Sequence, residues 1–259
     1  MKLQMVIRRM NGFVLAASFL ALAASSNSAL GKDDKQKAKA APAVQVVDNG
    51  SFGVFIKGQR VVTETFHIEQ RNGISSVKSQ LKQVAGSDQT AQKSDLEITS
   101  SGELLQYDWS QNSGGSLTVM PKNDFLIEQI TTAGATKPAE QPFLMPVSSM
   151  ILDNNFFIHR EVLAWRYLAA DCKAEGNGLK CPQEPAEFGV LVPQDRTSAR
   201  VRIELVGDEK ITVRGSERKL LRLNLAGETF VWNLWLDPQD QFKLIRVAIP
   251  ADDTEVVRD

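Results

Sequence analysis

Residues 60–81 read RVVTETFHIEQRNGISSVKSQL, and this stretch contains the pattern that decides the fold. Apolar and polar side chains alternate along it, which places Val62, Phe66 and Ile68 on one face of a strand and threonines on the other. Asn72-Gly73 is a dipeptide that two-residue hairpin turns prefer, and apolar positions continue behind it. The stretch therefore predicts an antiparallel hairpin with one buried face and one solvated face.

The same alternation of apolar and polar side chains continues in both directions, beginning at about Val44. Short alternating runs are separated by turn sequences such as Asn112–Gly115, Pro121–Asp124 and Asp237–Asp240. Turn signals spaced about ten residues apart predict hairpins rather than helical crossovers. We therefore expect a mainly β domain over 44–259, built as a single antiparallel up-and-down sheet of roughly eleven strands. Such a sheet curls, or forms an open barrel, to bury its apolar face.

One segment, from Ser148 to Ala170, departs from this pattern. At about 100° per residue its apolar side chains fall on nearly every side, which is typical of a helix that is buried over most of its surface. Asp153 or Asn154 is a suitable N-cap residue. We expect the helix either in the concavity of the curled sheet or across one end of a barrel, and the sequence favours neither position.

The first 29 residues have the layout of a secretory signal peptide. Three basic residues precede an apolar run over 13–24 that is too short to span a bilayer stably, and small residues follow it. We predict a signal peptide over 1–23, with cleavage between Ala23 and Ala29, in preference to a membrane anchor. A flexible, charged linker over 24–43 follows, because this segment has too few large apolar side chains to form a core.

The charge of the chain limits its partners. Removing the three basic residues of the leader from a chain of net charge −1 leaves a net charge of −4. Mild acidity with interspersed signs is typical of an ordinary protein surface and argues against nucleic acid as a partner. The sequence also predicts no integral membrane span after the leader. We therefore expect a periplasmic or secreted protein.

Two cysteines, Cys172 and Cys181, lie close together in the sequence. An even number of cysteines in an exported chain favours a disulfide, and the glycines between these two allow the loop to turn back. Their spacing differs from the Cys-x-x-Cys arrangement of redox-active pairs. We predict a structural disulfide.

Motifs for catalysis and for metal binding are absent from the sequence, which has no Gly-x-Ser-x-Gly elbow, His-Glu-x-x-His motif or phosphate loop. We interpret His67 as a surface residue on a strand and His159 as a hydrogen-bonded structural residue on the helix. Nothing in the sequence singles out a carboxylate pair of the kind that glycosidases use. We expect a non-catalytic protein without a metal or a cofactor.

Several short blocks along the chain form a further pattern: Gly53–Ile56 and Val61–Ile68 around a four-residue turn, Leu152–Phe157, Val190–Gln194, Trp235–Asp237 and Val247–Pro250. Together they resemble a group of exported bacterial proteins of unknown function, whose curled antiparallel sheet is similar to that of the lipoprotein carriers of the LolA/LolB type. The resemblance implies an open barrel with an apolar interior and a helix across its mouth. It implies no catalytic residue, and a shared fold does not by itself assign a function.

These observations predict an exported, non-catalytic binding protein or carrier for an apolar ligand such as a lipid, an acyl chain or a lipoprotein. The candidate lining of its site is a set of aromatic side chains from the sheet and the helix: Trp109, Phe125, Phe156, Phe157, Trp165, Tyr167 and Trp232. The alternative is an envelope assembly or protein-interaction module with a filled core, whose partner is an envelope protein. A hydrolase that uses carboxylates is the weaker alternative.

Overall fold

The computed structural model describes residues 43–84, 90–176 and 178–259. The predicted signal peptide and nearly all of the predicted linker lie outside these residues, and so does Asn177 of the cysteine loop. The described chain is mainly β with one α-helix, as predicted. No helix among these residues combines the length and the apolar character that crossing a membrane requires.

The chain forms two series of strands with a helix between them. The first series is β1 (Gln45–Ile56), β2 (Gln59–Arg71), β3 (Ile74–Gln83), β4 (Thr90–Thr99), β5 (Leu104–Gln111), β6 (Ser116–Lys122), β7 (Phe125–Thr131) and β8 (Ala139–Phe143). Next come β9 (Met150–Ile151), α1 (Ile158–Asp171), β10 (Lys173–Glu175) and β11 (Gly178–Lys180). The second series is β12 (Ala186–Val192), a 3-10 helix (Pro193–Asp195), β13 (Thr197–Val213), β14 (Ser216–Ala226), β15 (Val231–Asp237), β16 (Lys243–Ile249) and β17 (Thr254–Arg258).

Fifteen strands of the described chain form one sheet in the order β8-β7-β6-β5-β4-β3-β2-β1-β17-β16-β15-β14-β13-β12-β9. Two antiparallel meanders, β1–β8 and β12–β17, therefore meet at the centre, where Val54 of β1 pairs with Val256 of β17. The two outermost strands of this order, β8 and β9, are not neighbours, so the sheet is not closed. The hairpin that the sequence predicts at Asn72-Gly73 is confirmed, since Arg71 pairs with Ile74 across a two-residue turn.

The predicted number of strands, roughly eleven, was too small. Strand β8 contains Pro142, which is tolerated because the strand lies at the edge of the sheet. Strands β10 and β11 have three residues each. None of these strands has a long alternation of apolar and polar side chains, which is the pattern from which the strands were predicted.

One pairing also differs from the predicted antiparallel sheet. Val190 of β12 pairs with Met150 of β9 in parallel. Helix α1 lies between these two strands in the chain, and a helical crossover of this kind returns the chain in the same direction.

Helix α1 packs on one face of the sheet. Its buried side chains share one apolar core with inward-facing residues of both meanders, including Phe66, Leu96, Leu223 and Val247. The helix therefore packs against the sheet, and its placement in a concavity or across one end stays a prediction. A smaller apolar cluster lies on the outer face of the second meander and consists of Val213, Leu220, Trp235 and Ile245.

The helix begins later than the sequence predicts. Its first residue is Ile158, and the N-cap position is occupied by Phe157, which makes no side-chain capping bond. The Asp153 carboxylate instead accepts the N–H groups of Asn155, at 2.7 Å, and Phe156, at 3.4 Å. Asp153 therefore stabilises a turn ahead of the helix and is not available as its N-cap.

The predicted disulfide between Cys172 and Cys181 is confirmed. It joins the residue after α1 to the residue after β11, and so closes the small hairpin of β10 and β11. The C-terminal end of the helix is thereby fixed to the loop that follows it.

We expect loss of this disulfide to lower the free energy of unfolding by about 2–3 kcal/mol, because the bond restricts a short loop of the unfolded chain. Urea unfolding of a Cys172→Ser/Cys181→Ser variant beside the oxidised wild type measures the difference. Reductant should bring the wild type to the stability of the variant and leave the variant unchanged. Equal stability of the variant and the oxidised wild type would contradict this role.

Candidate functional site

Buried ionisable side chains gather where α1 meets the sheet. Glu64 of β2, Asp153 ahead of the helix and the successive helix residues His159, Arg160 and Glu161 are all fully buried. Charged groups are rarely buried without partners because removing them from water is costly. Their contacts therefore define the chemistry of this region.

Glu64 caps the N-terminus of α1 from the neighbouring sheet. Its Oε2 accepts the N–H of Phe157 at 2.7 Å, and its Oε1 accepts the N–H of Ile158 at 3.2 Å and the hydroxyl of Ser79 at 2.8 Å. The first N–H groups of a helix have no partner within the helix and favour a negative charge. Burial raises the pKa of Glu64 to about 7, although these hydrogen bonds act in the opposite direction. The sheet thus supplies the cap that Phe157 lacks.

The guanidinium of Arg160 contacts two aromatic rings. It lies 4.9 Å from the ring centroid of Phe157 and 4.7 Å from that of Trp232. Phe230 stacks on Trp232, with ring centroids 4.5 Å apart. We call this series of contacts, Phe230–Trp232–Arg160–Phe157, the aromatic stack. It runs from two partly exposed rings to the fully buried guanidinium at the start of α1.

Arg160 also stabilises the turn ahead of the helix. Its Nη1 donates to the carbonyl oxygen of Phe156 at 2.6 Å and to that of Asp153. Burial lowers the pKa of Arg160 to about 10, and the negative charges of Asp153 and Glu64 oppose this change. The positive charge is therefore balanced by carboxylates that themselves anchor the helix.

Asp153 connects this turn to both meanders. Its carboxylate accepts hydrogen bonds from the hydroxyl of Tyr107 on β5 and from the side-chain amide of Gln194 in the 3-10 helix. Burial raises the pKa of Asp153. Burial and the neighbouring Asp153 charge raise the pKa of Tyr107 well above its ordinary value. Tyr107 is therefore a neutral hydrogen-bond donor at physiological pH.

A second buried group lies beside the central β1–β17 pair. Arg258 Nη2 is 2.7 Å from Glu161 Oε2 and 2.7 Å from Asp48 Oδ2. The backbone N–H of Leu244 donates to the same Glu161 oxygen at 2.7 Å. Burial raises the pKa of Glu161 well above its ordinary value, and Arg258 opposes this change. These two carboxylates hold the helix to the centre of the sheet through one shared arginine.

Three other buried side chains, those of Ser94, Glu128 and His159, lack hydrogen-bond partners within the described residues. Both carboxylate oxygens of Glu128, on β7, are unpartnered, and so are both ring nitrogens of His159. Burial raises the pKa of Glu128 to about 7, and Arg196 opposes this change. Burial lowers the pKa of His159 to about 3, and the charge of Arg160 lowers it further. Buried polar groups of native proteins normally have partners.

Of the two predictions for the histidines, one is confirmed and the other was wrong. His67 lies at the surface, as predicted, with 44% of its side chain exposed. The prediction that His159 forms hydrogen bonds was wrong, because α1 directs its ring toward the rings of Tyr107 and Phe156, at centroid distances of 5.6 and 6.1 Å. Within the described ranges, no three or more His, Cys, Asp or Glu side chains are grouped so that they could hold a metal ion.

Four of the seven predicted ligand-binding aromatic residues lie around the N-terminal end of α1: Trp109, Phe156, Phe157 and Trp232. Phe157 and Trp232 meet through Arg160 in the aromatic stack. Trp109 is linked to the same region through Gln92, whose Oε1 accepts N–H groups from Trp109, at 3.0 Å, and from Asn155, at 3.1 Å.

The other three predicted aromatic residues lie elsewhere. Trp165 donates its ring N–H to the carbonyl of Phe242 at 2.8 Å, and the hydroxyl of Tyr167 accepts the N–H of Leu205 at 3.1 Å. Both therefore tie the later turns of α1 to the second meander. Phe125 stands apart at the start of β7, where it is 39% exposed.

Two surface pockets lie away from this region, on the outer side of the sheet. Their volumes are about 240 and 400 Å³, and both are lined by Val213, Arg214 and Asp259. The Asp259 carboxylate is 3.6 Å from Arg214 and 2.5 Å from Arg60. The charged residues that line the first pocket are therefore balanced, whereas three arginines and one carboxylate line the second.

Sequence reasoning did not identify Glu64, Glu128, Arg160 or Glu161. Glu64 and Glu128 occupy inward positions of alternating strands, where their neighbours on the same face are apolar. A charged residue at such a position is a signal that could have revealed both. The helix residues carry no comparable signal, because the partners of Arg160 and Glu161 are distant in the sequence.

No protein-family model, curated protein or solved structure matches this chain significantly. The resemblance to lipoprotein carriers therefore stays a prediction. The function has to be argued from the contacts of the buried groups and of the aromatic stack.

We expect Glu64→Ala to lower the free energy of unfolding by about 1–3 kcal/mol, because two helix N–H groups and the Ser79 hydroxyl lose a buried acceptor. Glu69→Ala, at a partly exposed position of the same strand, is the matched control and should change stability by less than about 0.5 kcal/mol. Urea unfolding followed by circular dichroism measures both. Equal stability of the two variants would rule out the capping role.

We expect stability to fall as the pH rises between about 4.5 and 7. Glu64 and Glu128 each have a folded-state pKa of about 7 against an ordinary 4.5, so in this window the folded protein retains protons that the unfolded chain releases. For each group the cost is absent below this window, complete above it, and at most about 3 kcal/mol. His159 opposes this fall, because its folded-state pKa of about 3 lies below its ordinary 6.5 and only the unfolded chain binds its proton in this window. The two carboxyl groups outweigh the single imidazole, so the net stability falls.

Urea midpoints measured across this pH range test the expectation. Glu128→Gln removes one of the two groups, so its stability should decline less steeply with pH than that of the wild type. A wild-type profile that is flat or rises across the window would refute it.

Proposed function

We propose that this chain is an exported, non-catalytic binding protein that carries an apolar ligand such as a lipid or an acyl chain. The observation that carries the proposal is the aromatic stack, which connects the partly exposed rings of Phe230 and Trp232 to the buried start of α1. Aromatic side chains with a few convergent polar groups are typical of sites that hold apolar ligands.

The surroundings of the stack support this function. The sheet is not closed, and one continuous apolar core covers the face on which the helix packs. Burial of an acyl chain contributes about 25 cal/mol per Å² before the costs of association. The disulfide suits the oxidising compartment that the predicted signal peptide implies.

The contacts of the buried carboxylates favour a non-catalytic role. Glu64 is engaged by helix N–H groups, and Asp153 by Tyr107 and Gln194. Asp48 and Glu161 form a carboxylate pair, but both bind Arg258 and hold the helix in place. A hydrolase needs such groups free to exchange protons with a substrate.

One observation favours a second candidate, the protein-interaction module with a filled core. Helix α1 already covers the core face of the sheet, and Phe156, Ile158, Leu163 and Tyr167 are fully buried there. A protein that uses only its outer surface would retain this packing. The two candidates differ in whether apolar molecules are bound at all.

Native mass spectrometry of gently purified protein distinguishes them. We expect apolar adducts on the wild type, and we expect Trp232→Ala to retain at least about tenfold less of them because it breaks the aromatic stack. Trp235→Ala, which changes a tryptophan of the outer cluster, is the matched control and should keep the adducts. An adduct-free wild-type mass in repeated preparations would favour the interaction module and refute the carrier.

A further inference from the structure

The larger of the two surface pockets has more arginines than carboxylates in its lining. Its volume is about 400 Å³, and its charged residues are Arg214, Arg218, Arg258 and Asp259. We call it the arginine pocket. A pocket of one predominant charge attracts ligands of the opposite charge, provided that its own groups are not already balanced.

Two of these arginines have carboxylate partners. Arg258 lies 2.7 Å from Asp48 and 2.7 Å from Glu161, so its guanidinium is engaged beside the helix. Arg218 forms an ion pair with Asp237 through its Nη2. A guanidinium has five N–H donors, so Arg218 can also donate to a ligand in the pocket.

Arg214 has no carboxylate to itself within the described chain. Asp259 Oδ1 is 3.6 Å from Arg214 Nη2, which is beyond hydrogen-bond distance. The other Asp259 oxygen binds Arg60 at 2.5 Å and accepts the Ser51 hydroxyl at 2.8 Å. One carboxylate therefore serves two arginines, and the surplus positive charge lies at Arg214, whose side chain is 58% exposed.

The backbone at Arg214 is unusual for an arginine. Arg214 and Gly215 form the turn between β13 and β14, where Val213 pairs with Ser216, and the φ angle of Arg214 is 53°. Two-residue turns of this kind prefer Asn, Asp or Gly at that position, since positive φ is costly for other side chains. Asn72 fills the equivalent place in the β2–β3 turn. Strained residues cluster at functional sites, and this one places a guanidinium at a pocket.

The nearby carboxylates leave this surplus charge in place. Glu217, which follows Ser216 of the pocket lining, is 3.1 Å from Lys210. Glu255, which lines the smaller pocket, is 2.6 Å from Arg246. Each of these carboxylates therefore has a cation of its own.

We propose that the arginine pocket binds the phosphate group of an organic phosphate. The guanidinium groups of Arg214 and Arg218 and the hydroxyl of Ser216 supply donors for a tetrahedral anion that accepts hydrogen bonds on several sides. Val213 and Ile245, which belong to the outer cluster, offer apolar contacts to the organic part of the ligand. The volume is typical of small-molecule sites. The pocket lies away from the aromatic stack, so the inference is independent of the proposed carrier function.

Glycerol 3-phosphate and glycerol, which differ by the phosphate group, test the proposal. Isothermal titration calorimetry in about 20 mM sodium chloride should show binding of glycerol 3-phosphate and none of glycerol. The affinity should fall at least about threefold in about 150 mM salt, because salt screens charges at an exposed site. A wild type that does not bind glycerol 3-phosphate at the lower salt concentration would overturn the proposal.

Arg214→Asn separates binding from folding. Asn is a preferred residue at this turn position, so the variant should unfold at the same urea concentration as the wild type or at a higher one. Its affinity for glycerol 3-phosphate should nevertheless fall at least about tenfold. Arg196→Asn, which replaces another exposed arginine of positive φ in the turn after the 3-10 helix, is the matched control and should bind as the wild type does. An Arg214→Asn variant that keeps the wild-type affinity would refute the assignment.

Vesicles distinguish the two sources of such a phosphate group. Phosphatidylcholine vesicles that contain phosphatidic acid should sediment with the wild type and not with Arg214→Asn if the ligand is a lipid head group. Binding of glycerol 3-phosphate without cosedimentation supports a soluble organic phosphate. Equal cosedimentation of the two proteins would overturn the assignment of a lipid head group to this pocket. None of these results depends on the apolar adducts that test the carrier function.

Discussion

The arrangement of this protein depends on one contact between sheet and helix, in which the Glu64 carboxylate accepts the N–H groups of Phe157 and Ile158. This helix is buried over most of its surface, and its first N–H groups are buried with it. Water cannot satisfy them there, and the N-cap residue has no side chain able to do so. An acceptor from the sheet is therefore a condition for burying the helix against the sheet.

Because the sheet caps the helix in this way, the interior contains charged side chains as well as apolar ones. Arg160 balances Glu64 and Asp153, and Arg258 balances Glu161 and Asp48, so most buried charges belong to pairs that tie the helix to the sheet. Buried ion pairs stabilise a fold less than apolar packing of the same volume, but they specify geometry when each member is satisfied. Glu128 departs from this rule, because neither of its carboxylate oxygens has a hydrogen-bond partner within the described residues.

Local sequence patterns predicted the local features of this fold, and long-range contacts lay beyond them. Asn72 and Gly73 both have positive φ, as their hairpin turn requires, and the disulfide follows from cysteine spacing and expected compartment. The helix was identifiable from its periodicity, but its first residue was not, because the cap comes from Glu64, more than ninety residues earlier. In the same way, the parallel pairing of β9 with β12 depends on the path of the chain through the helix, which local patterns do not specify.

The pairing of β1 with β17 has a consequence for how the molecule is made. Its central ladder joins residues about 200 positions apart, such as Val54 and Val256. A chain that is produced from its N-terminus can therefore assemble the first meander early, but the middle of the sheet has to wait for the last strand. Until then β1 presents an unpaired edge, which is a template for wrong partners. The edge of β1 is therefore exposed during folding although it lies at the centre of the finished sheet.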